Sequence, residues 1–213
     1  MISNYKHISF DLDGTLIHTQ EEYRHMAVLH VVADLCGCAD AQAVDDFWFK
    51  PNRGKTIRER FGIDPDVFWD AFGKYDNAER RNPFTKVYPD VIPVLQRLNT
   101  MGKTISIITG APRWVAEMEV AKLEGISIAH VLALNGSPFS EKPCPDGMKH
   151  VLSQLGHKPE ETLYIGNSTE DAMFAEAAGC GFRLVDRKEY AFDDQFAQHL
   201  ISSLNELFHP VNQ

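Results

Sequence analysis

Hydrophobic and polar positions divide the chain into three stretches. Residues 7–10, HISF, form a short apolar run that stops at Asp11, the pattern of a strand feeding a loop. From about 20 to 80 the spacing is helical. Tyr23, Met26, Ala27, His30 and Val31 recur at helical intervals over 20–35, and helix-like segments follow at about 40–49, 54–61 and 65–80. Gly62 and Pro65 part the last two. Strand-like alternation is missing between 18 and 84, so this block reads as all-helical.

Beyond 84, helix and strand alternate. Pro89 opens a helix with Val91, Val94, Leu95 and Leu98 on one face, and Gly102 ends it. Strands are expected at 104–108 (TISII), 130–134 (HVLAL), 162–165 (TLYI) and 182–185 (FRLV), with helices at 113–124, 145–155, 169–178 and 193–208. Such alternation implies an α/β fold, a parallel sheet covered on both faces. Residues 1–17 supply the first strand and 85–213 the rest, so 18–84 is an insertion after the first strand.

Composition narrows the function. The 213 residues carry a formal net charge of -9, with 44% hydrophobic and 24% charged residues, as in an ordinary globular protein. So acidic a chain lacks the electrostatic footprint of a nucleic-acid or anionic-membrane binder. A small anionic substrate remains compatible, because a bound cation reverses the field locally. Cys36, Cys38, Cys144 and Cys180 make a poor zinc signature and read as reduced, mostly packed thiols. Residues 1–10 show no basic stretch followed by an apolar run, and no apolar stretch is long enough to span a bilayer. A cytoplasmic protein is expected.

In open parallel sheets, ligands lie beyond the carboxyl ends of the strands. Four segments fall there. FDLDGT (10–15) puts two carboxylates just after the first strand: Asp11 can attack phosphorus, Asp13 can pass a proton to the leaving oxygen, and Gly14 permits a sharp turn, although D-G also marks a plain polar turn. Thr109 and Gly110 end a buried strand with a hydroxyl and open amides suited to phosphate oxygens. Lys142, in the stiff loop SEKPCPD, can hold Asp11 ionised and balance phosphate charge, where a lone loop lysine is ordinarily a solvated charge. In GNSTED, Asn167 and Asp171 offer oxygen ligands for Mg²⁺, while Ser168 or Thr169 can cap a helix.

In that order, DLDGT, Thr109, Lys142 before a proline, and GNSTED resemble the four motifs of the haloacid dehalogenase superfamily, and the insertion resembles its C1 helical cap. The phosphatase branch, with its phosphoglycolate phosphatase and β-phosphoglucomutase-like members, is the nearest in pattern. The resemblance implies a Rossmann-like core (1–17 and 85–213), a C1 cap (18–84), Mg²⁺ and phosphoryl transfer. It implies Asp11 as nucleophile and metal ligand, Asp13 as acid/base with its main-chain carbonyl on the metal, Thr109 on the phosphate, and Lys142 against the developing charge. The last motif departs from the usual Gly-Asp: Gly166 is followed by Asn167, which keeps a carbonyl oxygen but loses a charge. Asp171, and behind it Glu170, can take up more of that role.

The expected function is hydrolysis of a phosphomonoester of a small metabolite. Dehalogenases of the family lack the second carboxylate of the first motif, so Asp13 opposes that branch. A phosphonate hydrolase would need a desolvated cap lysine, for which Lys50, Lys55 and Lys74 are present; a mutase is a further alternative. A non-catalytic binding protein is favoured by Asn167 alone. Within the insertion, FKPNRGKTIRER gathers cations in an acidic chain. Solvated surface charge is their ordinary reading; Arg53 and Lys55 are the candidates to meet an anionic substrate. The sequence is silent on oligomeric state.

Overall fold

The structure, a computed structural model, describes residues 2–49, 52–189, 192 and 194–208. It resolves into two compact units, Met1–His18 with Val87–Gln213, and Thr19–Lys86.

The larger unit is built on a six-stranded parallel sheet. In chain order its strands are β1 (His7–Phe10), β4 (Thr104–Pro112), β5 (His130–Asn135), β6 (Thr162–Gly166), β7 (Gly181–Val185) and β8 (Leu200–Ile201). Their spatial order is β5-β4-β1-β6-β7-β8, so β1 is central, and the order reverses about it. Phe10 is level with Ile107 on one side and Ile165 on the other. The carboxyl ends of β1, β4 and β6 therefore share one edge, and the loops after them emerge together.

All four residues of β1 and all five of β6 are buried, as strands covered on both faces require. Helices α6 (Val91–Thr100), α7 (Arg113–Val120), α8 (Asp146–Leu155) and α9 (Thr169–Ala177) follow the strands. One apolar cluster joins Ile8, Phe10, Leu95 and Ile107, and a second joins Ile108, Val151, Tyr164 and Phe174. Each such large side chain, fully buried, contributes roughly 1.5–3 kcal/mol. A polar thread also crosses the interior: His7 bonds Ser106 at 2.8 Å and Thr162 at 3.1 Å, and Ser106 donates to Ser9 at 2.9 Å.

The smaller unit contains α1 (Glu21–Asp34), α2 (Ala41–Phe49), α3 (Arg53–Thr56), α4 (Pro65–Tyr75) and α5 (Ala78–Arg81). Its core is aromatic, with Phe47, Phe61, Phe68 and Phe72 around Tyr23 and Val44. Asp64 caps α4 by accepting from the amides of Asp66 and Val67, and Pro65 occupies the first turn, where its missing N–H costs nothing.

Five expectations need correction. The 54–61 segment is not one regular helix: α3 runs into a π-helical turn, Ile57–Phe61, closed by Gly62 at φ 71°. The 65–80 segment breaks into α4 and α5 at Asp76, whose extended backbone ends α4 and whose carboxylate bonds Tyr23 and Arg81. The insertion is flanked by two short paired strands, β2 (Ile17–Thr19) and β3 (Thr85–Val87). The long last helix is absent: Asp194–His199 and Leu204–Phe208 are 3₁₀ turns, and between them Leu200 and Ile201 pair with Leu184 and Val185 as the edge strand. Residue 193, where that helix was expected to begin, lies outside the described residues. All four cysteines are free, but Cys36 and Cys38 are exposed rather than packed. No helix among the described residues is long and apolar enough to cross a membrane.

Candidate active site

Asp11 is the first residue past the central strand, and its amide still donates to the Ile165 carbonyl at 2.8 Å. The sheet thus fixes its backbone, while its side chain lies at the edge where β4 and β6 also end. Gly14, at φ 79°, turns the loop, and its amide donates to the Ile17 carbonyl at 2.6 Å. Asp13 is partly exposed in this loop.

Lys142 is the hub. Its ammonium donates to Oδ1 of Asp11 at 2.7 Å and to Oδ1 of Asp171 at 2.7 Å, and all three side chains are at least nine-tenths buried. The rings of Tyr164 and Phe174 lie 5.3 and 5.8 Å from the same nitrogen. The other oxygen of Asp11 accepts from the Thr15 hydroxyl at 3.0 Å. Burial pushes the Asp11 carboxyl up, to about 6; the Lys142 charge works against that and the Asp171 charge with it. Burial alone would strip the proton from Lys142, but the two carboxylates hold its pKa well above the ordinary lysine value. The Tyr164 phenol is likewise raised, chiefly by burial.

Asp171 is more heavily engaged than its spacing suggests. Its Oδ2 accepts from the amides of Asn167 and Ser168 at 3.0 Å each and from the Ser168 hydroxyl at 2.8 Å. Its Oδ1 accepts from Lys142, and the Tyr164 hydroxyl lies 3.3 Å away, although that hydroxyl is closer to the Ile108 carbonyl, at 3.1 Å. Together with Ser168 it forms the capping box that starts α9. Gly166 makes room for this: a Cβ there would fall 2.3 Å from Asp171 Cγ.

With four donors on it, Asp171 has little capacity left as a metal ligand. Among the described residues, no three His, Cys, Asp or Glu side chains form a ready metal cluster. The oxygens that suit a hard dication at this edge are the Asp11 carboxylate, the Asp13 main-chain carbonyl and the Asn167 carboxamide. Asn167 is buried, with its side chain against Gly14. The donor chemistry fits such an ion.

The structure joins Asp11, Lys142 and Asp171 directly. Thr109 is buried on the neighbouring strand at the same edge, its hydroxyl oxygen accepting from the Ala111 amide at 3.1 Å, and Gly110 is exposed with open space where a Cβ would stand. Arg53 and Lys55 belong to the helical unit. The Arg53 guanidinium lies 5.7 and 5.9 Å from the rings of Phe47 and Trp48, and Lys55 is 3.9 Å from Glu59. Lys50 lies outside the described residues. Three residues of the site escaped the sequence reading. Thr15 had a signal, being part of DLDGT; Ser168 was read only as a cap; and Tyr164 looked like any residue of a buried strand.

A parallel α/β core whose central strand delivers a buried carboxylate to a lysine has its candidate site at the strand ends, where such folds bind ligands. Residues 5–179 match the haloacid dehalogenase-like hydrolase family. The chain belongs to that family. A phosphoglycolate phosphatase of Haemophilus influenzae (strain 86-028NP) is 25% identical over 197 residues, covering 84% of this chain and 85% of its own. One of Vibrio parahaemolyticus (serotype O3:K6) is 28% identical over 185 residues, covering 82% and 81%. Among solved structures, a haloacid dehalogenase-like hydrolase from Bacteroides fragilis is similar with a TM-score of 0.79 at 25% identity, over 95% of this chain and 99% of that one.

Proposed function

We propose that this hydrolase is a phosphatase, a Mg²⁺-dependent phosphomonoester hydrolase of small phosphorylated metabolites, working through an aspartyl-phosphate on Asp11. The observation that carries this reading is the 2.7 Å contact of Lys142 Nζ with Asp11 Oδ1 at the end of the central strand. Asp11, paired with the Lys142 ammonium at 2.7 Å, is held as the carboxylate that attacks. Its oxygen bonds to phosphorus as the ester P–O bond breaks, and Asp13 gives its proton to the departing alkoxide. Asp13, then ionised, takes a proton from water, whose oxygen attacks the same phosphorus. Inorganic phosphate leaves and Asp11 is restored. Lys142 and Thr109 oppose the charge that gathers on the phosphoryl oxygens. Asp11, the Asp13 carbonyl and Asn167 would hold a divalent cation, which would supply further charge neutralisation.

The relatives named phosphoglycolate phosphatase make 2-phosphoglycolate the first substrate to try. Arg53 and Lys55 remain candidates for meeting its second anionic group, in a helical unit that we read as the C1 cap. Lys55 lines a cleft of about 430 Å³ with Arg58, whose guanidinium has no ion pair or hydrogen bond among the described residues. Free thiols suit the reducing cytoplasm as its compartment. The test is phosphate release from 2-phosphoglycolate and a panel of other phosphorylated metabolites, with Mg²⁺ and with chelator. Turnover on one or more, abolished by chelator, is expected; no release from any would refute the reading.

One observation favours a non-catalytic binding protein, the loss of charge at Asn167. The same assay separates the two, since a binder releases nothing. Of the lysines a phosphonate hydrolase would use, Lys55 and Lys74 are 64% and 75% exposed, which leaves neither desolvated.

A further inference from the structure

Arg187, just past β7, belongs to none of the strand-end motifs. In the folded core its guanidinium joins three chain segments. Nη2 and Nε donate to the Thr15 carbonyl at 2.8 and 3.3 Å. Nη1 and Nη2 also donate to the two carboxylate oxygens of Asp90, at 3.1 and 3.0 Å. The group lies 4.0 Å from the centre of the Tyr88 ring, and the side chain is only 8% exposed. Asp90 is anchored in turn by the Ser203 hydroxyl at 2.9 Å and the Leu204 amide at 2.8 Å. Burial opposes charge on Asp90, yet Arg187 and these donors hold its carboxyl below the usual range.

A planar fork of donors suits this place. It grips a carboxylate with two parallel bonds and still reaches a carbonyl, which a lysine cannot do. The carbonyl it reaches belongs to the residue whose hydroxyl donates to Asp11 Oδ2 at 3.0 Å. Asp11 is thereby held from both sides, Oδ2 by Thr15 and Oδ1 by Lys142. If the Thr15 backbone drifts, Oδ2 loses its donor and the carboxylate is held by Lys142 alone, at one oxygen.

We propose that Arg187, anchored by Asp90, is a positioning residue: through the Thr15 carbonyl it holds the hydroxyl that orients Asp11 for attack, a role that rests on Asp11 being the nucleophile proposed above. Phosphate would still be bound by Lys142 and Thr109, so the loss on breaking the clamp falls on kcat rather than KM.

The test compares Arg187→Ala, Arg187→Lys, Thr15→Val, the Arg187→Ala/Thr15→Val double variant and Asp11→Asn, each in the full chain, on p-nitrophenyl phosphate with Mg²⁺. Arg187→Ala is expected to lower kcat by about 10- to 100-fold with KM within about twofold, because small misplacements of a reacting group cost that much. Added guanidinium ion should restore part of kcat to this variant and none to the parent. The double variant should fall no further than its worse parent, since both changes release the same carboxylate. Parental kcat in Arg187→Ala, or losses that multiply in the double variant, would overturn the role. Should Arg187→Ala fail to fold, Arg187→Lys decides. It keeps the charge on Asp90 without the fork, so kcat should drop by at least about threefold at a near-parental melting temperature, and an unchanged kcat overturns the proposal equally. Persisting activity in Asp11→Asn is a separate failure, that of the nucleophile itself.

Discussion

Gly14 and Asn167 pack so closely that a Cβ on Gly14 would fall 2.1 Å from the Asn167 side-chain nitrogen. Gly14 also has a φ of 79°, which L side chains rarely adopt. Two turns from different strands are therefore fitted to each other through the absence of one carbon. Gly14→Ala should lose roughly 1–3 kcal/mol of stability and drive Asn167 from its place. Denaturant unfolding and the Mg²⁺ concentration for half-maximal activity would both register the change; a variant unaltered in both contradicts the fit.

Asp11→Asn should abolish turnover, by about three orders of magnitude or more, because an amide is no nucleophile toward phosphorus. The fold should persist, since Lys142 keeps Asp171 as a partner. Circular dichroism and phosphate release, measured on one preparation, check both halves.

Asn167→Asp puts a charged oxygen against Gly14, in the loop that carries Asp11 and Asp13. The Mg²⁺ concentration for half-maximal activity should fall, roughly tenfold, as ligand charge rises. No change, or weaker dependence on magnesium, would place residue 167 away from the metal.

Arg53→Ala and Lys55→Ala should raise KM for 2-phosphoglycolate by roughly 5- to 20-fold while leaving p-nitrophenyl phosphate almost untouched, as loss of ground-state binding requires. Equal losses on both substrates, or none on either, reject the assignment.

Acid stability offers a prediction outside the site. Burial, and the stacked His157 ring 5.0 Å away, lower the His7 pKa from 6.5 to about 4, with Glu161 pulling weakly the other way. A depressed histidine binds its proton more tightly when unfolded. Its contribution is complete above pH 6.5 and is lost as pH falls toward 4, about 3 kcal/mol when the loss is complete. His7→Gln keeps a donor and an acceptor for Ser106 and Thr162 without the titration. Its urea midpoint should therefore fall less than the parent's between pH 7 and 4.5. Parallel curves would mean that His7 does not govern that window.

The sequence makes the sheet and the helices that cover it legible because their apolar runs are strong: TLYI is buried throughout, and TISII and FRLV leave only Thr104 and Arg183 partly exposed. The last segment misleads for a physical reason. Phe196, Leu200, Leu204 and Leu207 are spaced as on a helix. The open edge of β7 instead takes Leu200 and Ile201, and Asp90 claims the Ser203 hydroxyl and the Leu204 amide. Those partners are distant in sequence, and local spacing cannot announce them. The site divides similarly. Asp11, Lys142 and Asp171 stand out as chemistry at strand ends, whereas Tyr164 and Arg187 matter only through what folding sets against them.

The Asp171 carboxylate that anchors Lys142 is also the one that starts α9. Fraying of that helix and release of the lysine are thus a single event. A molecule whose first α9 turn has opened keeps its sheet and most of its core but has a lysine bound to Asp11 alone. If Lys142 acts as proposed, local unfolding of a few residues, far less costly than global unfolding, would be enough to switch the molecule off. Loss of activity on warming should accordingly precede loss of the fold, and slow amide exchange at Asp171 becomes a gauge of how much of the population is competent.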